Sequence, residues 1–183
     1  MTLEERIERL EDIEAIRYLQ AKYQRLLDTR AFNELATLFA EDAVCDYDNG
    51  KMHHEGKDEI VKFLCRSMSI SMPSTHLIHG GEIDIIDNKN AVAKWYLEDH
   101  LEHERYLLNL HGAAIYEIKY VKVDSFWLIK KIGYTRTYQR FEFRPLLNLL
   151  TLSKKTYLER IKKSNIKDLS CYDLYFKDKK HRK

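Results

Sequence analysis

The stretch AVAKWYLEDHL, Ala91 to Leu101, reads as a strand with one face turned to a core. Successive side chains of a strand point to opposite faces. Ala93, Trp95, Leu97, Asp99 and Leu101 therefore share a face that is apolar except for Asp99, while Lys94, Tyr96, Glu98 and His100 form a mostly polar one. A carboxylate on an apolar face is paired, protonated, set in a cavity, or open to solvent at a sheet edge.

Outward from this strand, Ser74 to Tyr138 is rich in Val, Ile, Tyr and Trp, with turn signals at Asp87 to Asn90 and Val123 to Ser125. That texture predicts four long strands of a strongly curved antiparallel sheet. Upstream, Ile7, Leu10, Ile13, Ile16, Leu19, Tyr23 and Leu27 recur at helical steps, and Thr2 with Glu5 forms a capping box. One long helix is expected, with a break near Glu11 as an alternative and charged first turns that project from the body. AFNELATLFA reads as a second short helix closed by Glu41 and Asp42, AVCDYDNGKMHHEG as a hairpin turning at Asn49-Gly50, and Lys57 to Met68 as a third helix. Helices first and long antiparallel strands afterwards indicate an α+β fold. The chain has 6 Gly and no glycine-rich phosphate loop, which excludes a dinucleotide site.

At 183 residues the chain suits one domain with appendages. The expected division is a domain over 1–145 and a basic extension over 146–183. From Lys154 onward, 11 Lys and Arg stand against 4 Asp and Glu, leaving 20 against 25 before it. This basic tail reads as solvated, or as a partner for the acidic body of a neighbouring subunit, in preference to a nucleic-acid contact. The apolar runs fall short of the roughly 18 residues of a membrane span. The N-terminus lacks a signal-peptide core, so a cytoplasmic protein is expected. Cys45, Cys65 and Cys171 are odd in number and irregularly spaced, which reads as reduced thiols.

Among the histidines, His76 and His79 fall on opposite strand faces, as do His100 and His103, and His53 and His54 fall in an expected turn. No metal site is expected from them. Tyr23 lies inside the buried helix stripe. Asp28 falls about 100° beyond Leu27, in a row with Gln20 and Gln24, near a helix end that disfavours a carboxylate. Spacing alone favours a surface acid or a cap for the second helix; a partner is the alternative. In GYTRTYQRF, Tyr134, Arg136 and Tyr138 share one face, either as a surface ladder or with Arg136 as an anion contact at a cavity rim.

The segments DIEAIRYLQAKYQRLLD, ELATLFAEDAVCDY, STHLIHGGEIDI, AVAKWYLEDHL and WLIKKIGYTRTY resemble, in order, the SnoaL-like branch of the NTF2-like superfamily, over about Ile13 to Phe143. Within that branch they are most similar to the group of bile acid 7α-dehydratase, scytalone dehydratase and hexachlorocyclohexane dehydrochlorinase. The resemblance implies a cone: a curved antiparallel sheet wrapped around a deep pocket, closed by N-terminal helices, commonly as a homotrimer rather than a dimer. It also implies a lyase that eliminates water from a hydroxylated polycyclic or aromatic-like small molecule without a cofactor.

Tyr23, Asp28, His76, Asp99 and Arg136 stand at the places of the family's site residues. The roles implied are His76 as base, Asp28 as its orienter, Tyr23 and a protonated Asp99 as donors to an enolate oxygen, and Arg136 steadying Asp99 or an acidic substrate group. A close Arg136 would oppose a protonated Asp99, so those last two roles conflict. The implied pocket lining is Leu27, Trp95, Leu97, Tyr134 and Tyr138. An isomerase or cyclase using the same site, or a non-catalytic small-molecule-binding module, is the alternative. The charged start of EHERYLLNLHGAAIYEI and the long basic extension depart from a steroid-binding mouth.

Overall fold

The computed structural model describes residues 1–48, 50–68, 72–103 and 106–143. The expected extension over 146–183 and Asn49 of the hairpin turn lie outside the described residues. Helix α1 spans Leu3–Thr29 without a break, and the Thr2–Glu5 capping box is present in both directions. Its first nine residues, Leu3 to Glu11, are exposed. From Asp12 onward it lies on the sheet, burying Ile16, Leu19, Tyr23, Leu26 and Leu27. Each such apolar side chain contributes about 1.5–3 kcal/mol on leaving water.

The second helix is shorter than expected. Helix α2 stops at Phe32–Ala36, and strand β1 takes Phe39–Tyr47, including Glu41 and Asp42. The inward set Ala43, Cys45 and Tyr47 explains the switch, because alternate burial suits a strand and not a helix. Strand β2 (Met52–Glu55) pairs antiparallel with β1 as the expected hairpin, and so carries His53 and His54 within a strand instead of a turn. Helix α3 covers Lys57–Ser67. Four long strands follow: β3 Ser74–Ile85, β4 Asn90–His103, β5 Leu108–Val123 and β6 Phe126–Phe143. The β5–β6 turn places Asp124 and Ser125 both at positive φ, the primed geometry that matches strand twist.

The sheet order is β2-β1-β6-β5-β4-β3. The long strands are antiparallel to one another, but β1 runs parallel to β6, so the sheet is mixed. Bulges at His79/Gly81 in β3, and where β6 opposes Ala113/Ala114, bend it. Side chains from β1, β3, β4, β5 and β6 consequently meet in one concavity under α1 and α3.

Two polar anchors set α1 against the sheet. Trp127 Nε1–H and Lys122 Nζ both donate to buried Asp12 Oδ1, at 2.8 and 2.7 Å. Further along, Trp95 Nε1–H donates to Tyr120 Oη, which donates to Gln20 Oε1 at 2.9 Å. With these fixed, the C-terminal end of α1 arrives beside the start of β3.

Candidate active site

Helix α1 ends at Arg30, a non-glycine residue in the left-handed region at φ 62°. The helix axis stops there, and Asp28, off the apolar stripe, turns toward β3. It does not cap α2, whose N-cap is Ala31 without a side-chain bond. Both Asp28 oxygens are engaged. Oδ1 lies 2.6 Å from His76 Nδ1 and accepts the Ser74 hydroxyl at 2.8 Å, and Oδ2 accepts the His76 backbone N–H at 2.8 Å. An ionised carboxylate has no proton to give. Nδ1 therefore donates, and the neutral ring keeps the lone pair of Nε2.

His76 lines a cavity of about 250 Å³. Met52, Phe63, Leu64, Met68, Met72 and Leu97 supply part of its apolar wall, and Tyr23, Asp99, Tyr116, Tyr134 and Arg136 its polar one. A larger cleft of about 520 Å³ lies elsewhere, where the solvated charges of Glu82, Lys94, Glu117 and Lys131 stand beside Val92, Ala93 and Ile118.

Across the cavity, Arg136 forks onto Asp99, with Nη1–Oδ1 at 2.6 Å and Nη2–Oδ2 at 2.7 Å. Asp99 is 2% exposed. With both oxygens accepting from a guanidinium, it is a charged acceptor, so the donor role implied for a protonated Asp99 is not what this geometry offers. Burial works against the charge of Arg136, but the hydrogen bonds and charge of Asp99 outweigh it and hold the guanidinium above its ordinary value. Room for the pair comes from Gly112, the cross-strand neighbour of Asp99. A Cβ there would sit 2.4 Å from Arg136 Nη1 and 2.8 Å from Asp99 Oδ1.

Four tyrosines floor the pocket. Tyr23 Oη and Tyr47 Oη are 2.8 Å apart, Tyr47 stacks on Tyr134 at 4.9 Å, and Tyr116 meets Tyr134 edge-on at 5.8 Å. Burial pushes the phenols of Tyr23, Tyr47 and Tyr116 well above the ordinary phenol range. Tyr134 is raised by burial too, with Arg136 opposing the shift. These groups stay protonated and able to donate.

Tyr23, His76, Asp99 and Arg136 thus meet around one cavity, with Leu27, Leu97 and Tyr134 also lining it and Asp28 behind His76. Two expected lining residues do not. Trp95 packs onto Gly81, where a Cβ would lie 2.2 Å from its ring, and is part of the core below the cavity. Tyr138 is 56% exposed. The register passes from Ala114↔Arg136 to Ala113↔Tyr138, so Thr137 is an extra residue that turns Tyr138 off the face of Tyr134 and Arg136. Gln139 lines the cavity instead.

Sequence reasoning passed over Arg30, Ser74, Tyr47, Gly112 and Tyr116. Ser74 shares a strand face with His76 two residues on, and Tyr47 continues the alternation of Ala43 and Cys45, so both were accessible from spacing. Arg30 and Gly112 had no local signal.

The sequence profile of the SnoaL-like domain matches residues 8–132, about two thirds of the chain. This chain belongs to the SnoaL-like family. Among solved structures, this SnoaL-like chain is similar to a putative scytalone dehydratase from Novosphingobium aromaticivorans, at 22% identity and TM-score 0.69, covering 75% of this chain and 92% of that one. It is also similar to a hexachlorocyclohexane dehydrochlorinase, LinA-type3, from Novosphingobium barchaimii, at 17% identity and TM-score 0.68, covering 76% and 98%. An NTF2-like protein with a cystatin-like fold from Novosphingobium aromaticivorans aligns at 18% identity and TM-score 0.62, covering 74% and 88%. At these identities the likeness is one of fold, and the fold is NTF2-like. Among the described residues no helix is long and apolar enough to cross a membrane, and no three His, Cys, Asp or Glu side chains form a metal-holding group.

Proposed function

We propose that this SnoaL-like protein is a cofactor-independent lyase of the dehydratase type, with His76 as the base. The observation that carries the reading is the 2.6 Å contact of His76 Nδ1 with Asp28 in the wall of a largely apolar cavity. Asp28 fixes the ring in the tautomer whose Nε2 can take a proton, and stabilises the imidazolium that results.

The substrate is a hydroxy compound with a carbonyl that acidifies a neighbouring C–H. His76 Nε2 removes that proton, and the C–H electrons form the C=C bond of an enolate. One phenol of the Tyr23–Tyr47 pair donates to the other, leaving a second O–H for the developing oxyanion. The enolate then expels the β-hydroxyl, which leaves as water with the proton returned from the imidazolium. Asp99 neutralises Arg136, so the cavity offers no uncompensated positive charge to an acidic substrate group. Its volume of about 250 Å³ sits just below the roughly 300–1,000 Å³ usual for small-molecule pockets. Both facts favour a neutral, aromatic-like compound of one or two rings over a charged four-ring steroid.

The test is a mass-spectrometric screen of neutral one- and two-ring hydroxy ketones for loss of one water. His76→Ala should lower turnover by about 10²–10⁴-fold with an unchanged circular dichroism spectrum. Full activity in that folded variant would overturn the mechanism, and a product of unchanged mass would reassign the site to isomerisation.

A further inference from the structure

Arg30 holds a left-handed helix-terminal position that glycine usually fills. A non-glycine residue there is strained, and persists where its side chain is needed. The Arg30 side chain is buried at the foot of the Asp28–His76 pair. Its Nη1 donates to Leu27 O at 2.9 Å, Asp28 O at 2.9 Å and Ser74 Oγ at 2.8 Å, and its Nη2 donates to the carbonyl of Met72, a cavity-wall residue. Ser74 then donates to Asp28 Oδ1.

We propose that Arg30 and Ser74 are positioning residues that set the direction of a hydrogen-bond relay, Arg30 to Ser74 to Asp28, and thereby the tautomer and basicity of His76. A guanidinium can only donate. With Arg30 donating to Ser74 Oγ, the Ser74 proton is free to point at Asp28. Asp28 then accepts on both sides, and Nδ1 of His76 carries the ring proton. The Ser74 hydrogen bond and the Arg30 charge also draw on the negative charge of Asp28, weakening its hold on an imidazolium. The relay rests on His76 acting as the base proposed above. The other titratable or charged groups around this cavity are Tyr23 from α1, Tyr47 from β1, Asp99 from β4, Tyr116 from β5, and Tyr134 and Arg136 from β6.

The experiment is ¹⁵N NMR titration of the His76 ring in the full chain, without substrate, for the wild type, Ser74→Ala, Ser74→Thr and Arg30→Gln. A hydrogen bond to a charged group is worth about 1.5–3 kcal/mol, and one pKa unit is about 1.4 kcal/mol. Only the part of this that differs between neutral and charged His76 moves its titration midpoint, so Ser74→Ala should raise the midpoint by up to about one pH unit, Arg30→Gln should raise it at least as far, and Ser74→Thr should restore the wild-type curve by keeping the hydroxyl. An unchanged or lowered midpoint in folded Ser74→Ala, or no rescue by Ser74→Thr, would overturn the relay; should Arg30→Gln fail to fold, the serine pair still decides. Turnover is read separately. A raised midpoint in a protein that dehydrates no hydroxy ketone would leave the relay standing and remove the lyase reading.

Discussion

Replacing Gly112 by alanine would put a methyl carbon 2.4 Å from Arg136 Nη1 and 2.8 Å from Asp99 Oδ1, where real Cβ contacts under 3.0 Å essentially never occur. The strand backbone on either side is paired into β4 and β6, so the guanidinium is what moves. Shifting it off one carboxylate oxygen gives up one charge-assisted hydrogen bond, about 1.5–3 kcal/mol. Alanine offsets about 0.4–1 kcal/mol of this by restricting the unfolded chain, and Gly112 is not in the left-handed region, so no backbone strain opposes that gain. The net loss is about 1–2 kcal/mol. At roughly 2–4 °C per kcal/mol for a chain of this size, thermal denaturation should show Tm lowered by about 2–8 °C. In a background carrying Asp99→Ala and Arg136→Ala the methyl enters vacated space, and the change should become neutral or stabilising. A Tm unchanged by Gly112→Ala in the wild-type background, or lowered equally in both, would refute the claim that Gly112 makes room for the pair.

Asp28→Asn can present an amide N–H to Nδ1 and turn His76 into the wrong tautomer, so turnover in a steady-state assay should fall by about 10⁴-fold; a loss below tenfold in a folded variant would remove the orienting role. Burial holds the phenols of Tyr23, Tyr47, Tyr116 and Tyr120 above their ordinary value. The folded state keeps protons that the unfolded chain releases, so this contribution to stability is full below about pH 10 and is lost as pH rises beyond it. Tyrosinate absorbance and circular dichroism should then change together, and phenols ionising ahead of unfolding would contradict the burial argument. The Cys45 thiol is fully buried and pushed up to about 12 by that burial. Iodoacetamide at pH 8 should leave it unmodified in the native protein and alkylate it after denaturation, as read by peptide mass mapping.

Much of the fold was legible because it depends on short-range periodicity. The helical steps from Ile16 to Leu27 and the alternation from Ala91 to Asp99 each report burial of one face, and both faces are buried as read, whereas Ile7 and Leu10 at the start of the same stripe stay exposed. The Thr2–Glu5 cap and the turn at Asp124 and Ser125 are equally local. AFNELATLFA misled because its helical spacing is real over only one turn; from Phe39 the pairing with β6, some ninety residues away, outweighs it. The site was partly legible. Tyr23 followed from its place in the stripe, and Asp99 from being a lone acid on an apolar face. Asp28, His76 and Arg136 were singled out by family resemblance. Tyr138 was assigned to the wrong face because an uninterrupted alternation was assumed through Thr137, and a bulge in β6 is visible only against its partner strand.

The sequence by itself determined the order of helices and strands, the burial of Tyr23 and Asp99, and the absence of a glycine-rich phosphate loop, since each follows from neighbours a few residues apart. Only the tertiary structure decided that Asp28 meets His76, that Arg136 forks onto Asp99, that Trp95 lies beneath the cavity and not in its wall, and that Arg30 and Ser74 stand behind the pair. Those contacts join residues 37 to 48 positions apart. They depend on where α1 ends and where the sheet bulges, and no local pattern encodes either.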